Sequence, residues 1–227
     1  MFLCYGSSNT LDCLRIVRSA LVVLISWLGW LRSSEVFSLE EFDVKLILPT
    51  DGPSVGLPRG LGALGLLLLP STKGNQRSQA DVWIAFTTIS GLSIGTWWQR
   101  YLSLTGDPVF KRLIFSHNDG SPWTSTFFRQ TFLFPWLHTQ RQEGDPYLNQ
   151  FDDSPGRSIP ENFYSMGCFR RGARLDVSER RPGSVRRATK EERFEHARWR
   201  QKRAPDIDLH YLEWGIEERI KLTLLAM

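Results

Sequence analysis

The densest apolar run of the chain is ALVVLISWLGWL, Ala20 to Leu31. Asn9, Thr10 and Asp12 stand just ahead of it and supply helix-capping chemistry. The pattern predicts a first helix running towards Trp27 that is apolar on most of its circumference and therefore buried. A bilayer-spanning helix needs about 20 apolar residues, and this run stops short at Arg32. Asp12 before the run, and the lack of a small-residue cleavage site after it, argue against a signal peptide. Gly29 loosens the chain. Leu31-Arg32-Ser33-Ser34-Glu35 then starts a second short helix with a serine cap and an early acid.

Beyond this point the period changes. FDVKLILP, Phe42 to Pro49, reads as a strand, and the Gly/Pro-rich stretch from Thr50 to Gly65 as a long loop. Two apolar runs between Leu64 and Phe86 are separated by Ser71 to Gln79, where Lys73, Gly74 and Asn75 supply turn chemistry; this predicts a β-hairpin with Lys73 near its tip. Thr87 to Leu104 has helical character, with a Trp97-Trp98 pair suited to a core. RLIFSHNDGSPWTSTFFRQTFLFPWL predicts a strand, a turn at Asn118 to Pro122, and a helix capped by Thr124 or Ser125. Gln140 to Pro160 is polar and acidic, an exposed insertion. Leu209, Leu212, Ile216, Ile220 and Leu224 form the stripe of a C-terminal amphipathic helix over 207–227. No internal repeat is present.

Composition changes the picture in two places. Nine Trp in 227 residues imply wide aromatic surfaces, in a core or at a nucleic-acid interface. The net charge is only +4, but thirteen Lys or Arg stand against five Asp or Glu between Arg170 and Arg203, a local excess of +8 that leaves the remainder of the chain at −4. Such a block suits a polyanion partner, and a solvated basic face is its plain alternative. Cys4, Cys13 and Cys168 are too few and too scattered for a disulfide framework or zinc site, and point to a reducing compartment. No pair among the four His (His117, His138, His196 and His210) has the spacing of a helical metal site, so no metal is expected.

Four motifs follow one another: GWLRSSEV with Arg32 and Glu35, the hairpin Lys73, CFRRGA with Arg170, and HARWR followed by LHYLEW with Tyr211. Their order resembles the catalytic domain of the tyrosine recombinases, the phage-integrase-like family that includes Crypton-type transposon enzymes. The resemblance covers roughly Leu28 to Trp214, and the ending HARWRQKRAPDIDLHYLEW is its most specific part. It implies a mainly α-helical α+β fold with a small three-stranded antiparallel sheet, a single domain over 1–227 lacking the family's separate N-terminal core-binding domain.

The resemblance also implies roles. Attack on a phosphodiester builds negative charge on the nonbridging oxygens, and guanidinium groups meet it with paired donors that stay ionised. Arg32 and Arg170 would clamp the scissile phosphate, with Glu35 orienting Arg32 or bracing its helix. Tyr211 would attack phosphorus to form a 3′-phosphotyrosyl link, and Lys73 would protonate the leaving 5′-oxygen. His196 or Trp199 would hydrogen-bond the phosphate, while Arg171, Arg174, Arg198, Trp199 and Arg200 would bind the DNA. No cofactor is needed. The partners implied are double-stranded DNA and a second protomer docked through the C-terminal helix, without a membrane, in an intracellular setting that is nuclear in a eukaryote.

One departure bears on the chemistry. Gly167 stands three residues before Arg170, where the family carries the His of its H-x-x-R box, and glycine transfers no proton. Tyr164 or a rearranged loop would have to compensate. Two other readings remain: a recombinase-like module that holds DNA without cutting it, and a protein-docking domain with a basic helical face. Alone, Arg32 is an ordinary first-turn arginine beside Glu35, Lys73 a loop lysine, and Tyr211 a helix aromatic beside Trp214.

Overall fold

Residues 10–68, 80–144, 164–178 and 223 are described by a computed structural model. The apolar run does form a long helix, α1 (Thr10–Leu28). Val17, Leu21, Val22, Ile25 and Leu28 are at most 1% exposed, the 3.6-residue period of a helix buried on a wide face. Among the described residues no helix is long and apolar enough to cross a membrane.

The chain leaves α1 through a tight reversal. The Gly29 N–H donates to the Ile25 carbonyl, and Trp30 takes φ 51°. A left-handed backbone at a residue with a Cβ costs on the order of 1 kcal/mol; here burial of the indole, 2% exposed, holds it in place. A second helix, α2 (Ser33–Phe37), follows at once. The expected serine cap is corrected: Arg32 occupies the N-cap, Ser33 is already helical, and no side chain of residue 32 caps the turn.

β1 (Val44–Ile47), β2 (Ala63–Leu68) and β3 (Ala80–Ala85) make an antiparallel sheet in the order β1-β2-β3, with Val44 opposite Leu66 and Leu66 opposite Val82. The fold is therefore α+β, as expected. The predicted hairpin is the β2–β3 pair, and Lys73 falls in its connection, outside the described residues. The Thr50 to Gly65 loop contains one 3-10 turn, Gly52–Val55, before β2 begins.

α3 (Ile94–Thr105) is capped by Ser93, whose Oγ accepts from the Thr96 N–H. It packs against α1, with Trp98 and Tyr101 stacked at 5.1 Å and fully buried and Trp97 at the edge of the core. The strand expected near Arg112 to Ser116 is reduced to two isolated bridges, Glu40 with Leu113 and Ser116 with Pro122. Its partner segments are short, and Pro122 has no N–H with which to extend a ladder. α4 (Ser125–Phe128) is capped by Thr124, which accepts from the Phe127 N–H; a π turn over Arg129–Leu133 leads into α5 (Phe134–Gln142).

The last described helix, α6 (Gly167–Ser178), packs on α1. Most of the acidic insertion and all five residues of the C-terminal stripe lie outside the described residues. Thr223, within the 207–227 segment, is described. It is helical and 2% exposed, and its Oγ1 accepts from the Ala85 N–H at the end of β3, 2.7 Å away. At that position the C-terminal segment is seated on its own sheet.

Candidate active site

The site starts at the C-terminal end of α1. There the backbone of Arg32 is fixed from both sides: its N–H donates to Glu35 Oε2 at 2.6 Å, and its carbonyl accepts from the Val36 N–H at 3.0 Å. Glu35 is 8% exposed, so the bond is made in a sheltered place where it is hard to replace with water. Glu35 thus ties down the backbone at the start of α2. The Arg32 side chain stands half-buried at this turn.

Arg170 arrives on α6. The lead-in to this helix is seated in the core: Met166 is 5% exposed, and Tyr164 and Phe169 pack against the central cluster. The Ser165 carbonyl accepts from the Cys168 N–H, closing the first turn. Further along, Ala173 is 1% exposed, and a Cβ on Gly172 would lie 2.7 Å from Trp27 Cζ3. The missing side chain of Gly172 is what lets α6 approach the Trp27 ring so closely. Arg170 is half-buried with its Nε enclosed, and Arg171 is exposed. Arg174 belongs to the same helix.

Gly172→Val is expected to lower stability by about 1–3 kcal/mol, the usual cost of overpacking a close contact. Urea unfolding that moves the midpoint and leaves the slope unchanged checks it. An unmoved midpoint would mean that the α1–α6 contact contributes little.

Trp27 and Gly172 meet where the two helices cross. Arg32 lies five residues beyond Trp27, and Arg170 two residues before Gly172. The two arginines, distant in sequence, therefore ride on elements seated at one end of α1. On the far edge of the Trp27 ring, Nε1 is buried without a hydrogen-bond partner. Lys73, His196, Arg198, Trp199, Arg200 and Tyr211 lie outside the described residues.

Gly167 opens α6 with room around it. A Cβ there would meet nothing nearer than Ser165 Oγ at 3.4 Å and Arg171 Nη2 at 3.5 Å, and its backbone is not left-handed. No steric reason in this part of the fold demands glycine at that position. Among the described residues no three His, Cys, Asp or Glu side chains group as metal ligands.

Sequence reasoning missed two features of the surrounding frame. Arg18, in the middle of α1, is 7% exposed, with Nη1 donating to the Ser116 carbonyl at 2.6 Å. Glu41 is fully buried; it accepts from the Tyr101 hydroxyl at 2.5 Å, the Arg112 Nε–H at 2.6 Å and the Val109 N–H at 2.7 Å. No local signal marks either residue, because the partners lie far along the chain.

No family model matches the chain, and no curated protein matches it. Among solved structures, a Flpe mutant in a DNA Holliday junction complex superposes with a TM-score of 0.45 at 11% identity, over 94% of this chain and 48% of that one. The chain spans about half the length of that protein. A superposition this loose transfers no residue's role.

Proposed function

We propose that this chain is a tyrosine-recombinase-like domain that binds duplex DNA and cleaves and rejoins it through Tyr211. The observation that carries the reading is the seating of Arg32 and Arg170 at one end of α1, each on a backbone fixed by buried contacts. Guanidinium groups carried on a fixed backbone suit a reaction whose transition state gathers charge on a phosphate, because the backbone needs little reorganisation as that charge appears.

In this reading the Tyr211 hydroxyl gives its proton to solvent water, Oη bonds to phosphorus, and the bond from phosphorus to the 5′-oxygen breaks. Lys73 gives the leaving oxygen its proton, and the phosphate remains as a 3′-phosphotyrosyl ester. The 5′-hydroxyl of another strand reverses the step. His196 or Trp199 adds a donor to the phosphate, and Arg171, Arg174, Arg198 and Arg200 hold the flanking backbone. The C-terminal helix and the acidic insertion complete the domain, and a second protomer assembles on the DNA.

A duplex nicked near the cleavage point, so that the freed end diffuses away, traps the intermediate. A covalent protein–DNA adduct supports catalysis. Tight binding with a steep loss of affinity in added salt, but no adduct with any duplex, would leave a DNA-holding module; Gly167 at the proton-transfer position favours that second reading. Binding to an acidic protein in place of DNA would overturn both.

The open space at Gly167 gives a direct check on the missing base. Gly167→His is expected to fold normally and to raise the rate of adduct formation, by about a hundredfold if the imidazole takes the tyrosine proton. An unchanged rate in a well-folded variant would show that the proton leaves by another route.

A further inference from the structure

A second site, which does not depend on the recombinase reading, lies at the other end of α1. A cleft of about 510 Å³ opens between the first turns of this helix and the turn that follows Ser116. Asp12, Arg15 and Arg18 line it from the helix, at spacings that put them on one face. His117, Asn118 and Asp119 line it from the turn, which is closed by the His117 N–H donating to the Ser121 carbonyl. Its size falls in the range of small-molecule sites.

The floor of the cleft is unusual. Arg18 is more than nine-tenths buried, and its Nη1 is committed to the Ser116 carbonyl, which fixes the plane of the guanidinium. Its Nε–H has no hydrogen-bond partner. The guanidinium also lies over the Tyr101 ring, 5.9 Å from its centroid, so the charge of Arg18 is held in one place beside the cleft. The buried carboxylate Glu41 already accepts from Tyr101, Arg112 and Val109.

The lining donors favour an anion as the occupant. Arg15 is exposed one turn from Arg18 and brings a second guanidinium, while His117 and Asn118 bring ring and amide donors from across the cleft. His117 is held edge-on to the Phe127 ring at 4.4 Å, so its position is set by packing. Two carboxylates share the lining, Asp12 and Asp119. Asp119 is engaged by the Ser121 N–H and Oγ–H, which hold its carboxyl below the usual range, and Asp12 is exposed.

We propose that this cleft binds a phosphate group, with Arg15, Arg18, His117 and Asn118 lining it. The phosphate belongs either to a small phosphorylated molecule or to a nucleic-acid backbone. Ten residues of α1 between Arg18 and Leu28 correspond to about 15 Å of helix, so the site is separate from the turn that carries Arg32.

Inorganic phosphate titrated into the full chain tests this, with the side-chain Nε–H resonance of Arg18 followed by NMR against chloride at matched ionic strength. A shift that saturates in the millimolar range is expected for phosphate alone. Arg15→Ser, at an exposed position that leaves the fold intact, is expected to weaken binding about tenfold through loss of one charge-assisted contact. Asp12→Asn removes a repelling charge and is expected to tighten it. An Arg18 resonance that does not move, that moves equally with chloride, or that responds identically in Arg15→Ser would overturn the site. Duplex affinity separates the sources: a loss in Arg15→Ser assigns the phosphate to a nucleic-acid backbone, and an unchanged value assigns it to a small phosphorylated molecule. Failure here leaves the Tyr211 adduct experiment unaffected.

Discussion

Tyr211→Phe is expected to bind duplex DNA as tightly as the native chain and to leave no covalent product on a nicked substrate. The change removes one oxygen and nothing else, so the aromatic packing of the residue is retained. In the proposed function the binding energy comes from basic contacts to the backbone, which do not involve the phenol. The loss should then be complete, because the proposed reaction gives the bond to phosphorus to the Tyr211 oxygen and to no other group. Arg170→Lys sharpens the test. Lysine keeps the charge but not the planar fork of paired donors. Adduct formation should fall about a hundredfold or more, the range seen when one preorganised donor to a developing oxyanion is lost. Retained adduct in Tyr211→Phe would assign the nucleophile elsewhere, and a retained rate in Arg170→Lys would remove Arg170 from the phosphate.

The parts of this fold that were legible in the sequence are those governed by local pattern. The twelve-residue apolar run could only be a buried helix, and it became the centre of the molecule, in contact with α2, α3 and α6. The turn chemistry around Lys73 to Asn75 announced the β2–β3 hairpin, and Thr124 announced the start of α4. The approach of α6 to α1 was also written locally, in Gly172 and Ala173. Failures arose where a residue's environment is decided by distant chain. Glu41 looks like half of a solvated Glu40-Glu41 pair, yet its partners Tyr101 and Arg112 lie 60 and 71 residues away. Arg18 reads as the polar break in an apolar helix, and its acceptor is 98 residues on. The expected strand near Arg112 had the right apolar composition, but the Leu39 to Glu41 segment it pairs with offers only a short stretch of backbone.

The same contrast applies to the site. Residue types and their order suggested which side chains could serve a phosphodiester, since chemistry restricts the choice to guanidinium, ammonium and phenol. How each is held was not legible. The serine doublet after Arg32 invited a serine cap, but the fold uses the Glu35 carboxylate on the Arg32 N–H instead. The reason is geometric. The reversal at Gly29 and Trp30 fixes where the helix can begin, and that places Ser33 inside the first turn. What the arginine gains is a backbone with little freedom, the condition for directing a side chain at a fixed point.

The buried network around Glu41 supports the second large expectation. Glu41→Gln is expected to destabilise the fold by about 3 kcal/mol, the lower end for breaking a buried ion pair, because the Arg112 side chain is 33% exposed and can regain water. The amide also sets an N–H against one of three donors that now share the carboxylate, leaving that donor unpaired. The network carries a pH signature. Burial, then the hydrogen bond and charge of Glu41, push the Tyr101 hydroxyl from 10.0 up to about 12. A folded-state pKa raised above the unfolded one favours the protonated form, so this stability is fully present below about pH 10 and is lost as pH rises through about 12. Two units correspond to roughly 2–3 kcal/mol at the limit. Urea midpoints measured from neutral pH into that window should therefore fall for the native chain, while Tyr101→Phe should start lower and lose its share of the slope. Parallel slopes in the two proteins would show that Tyr101 is not the titrating group.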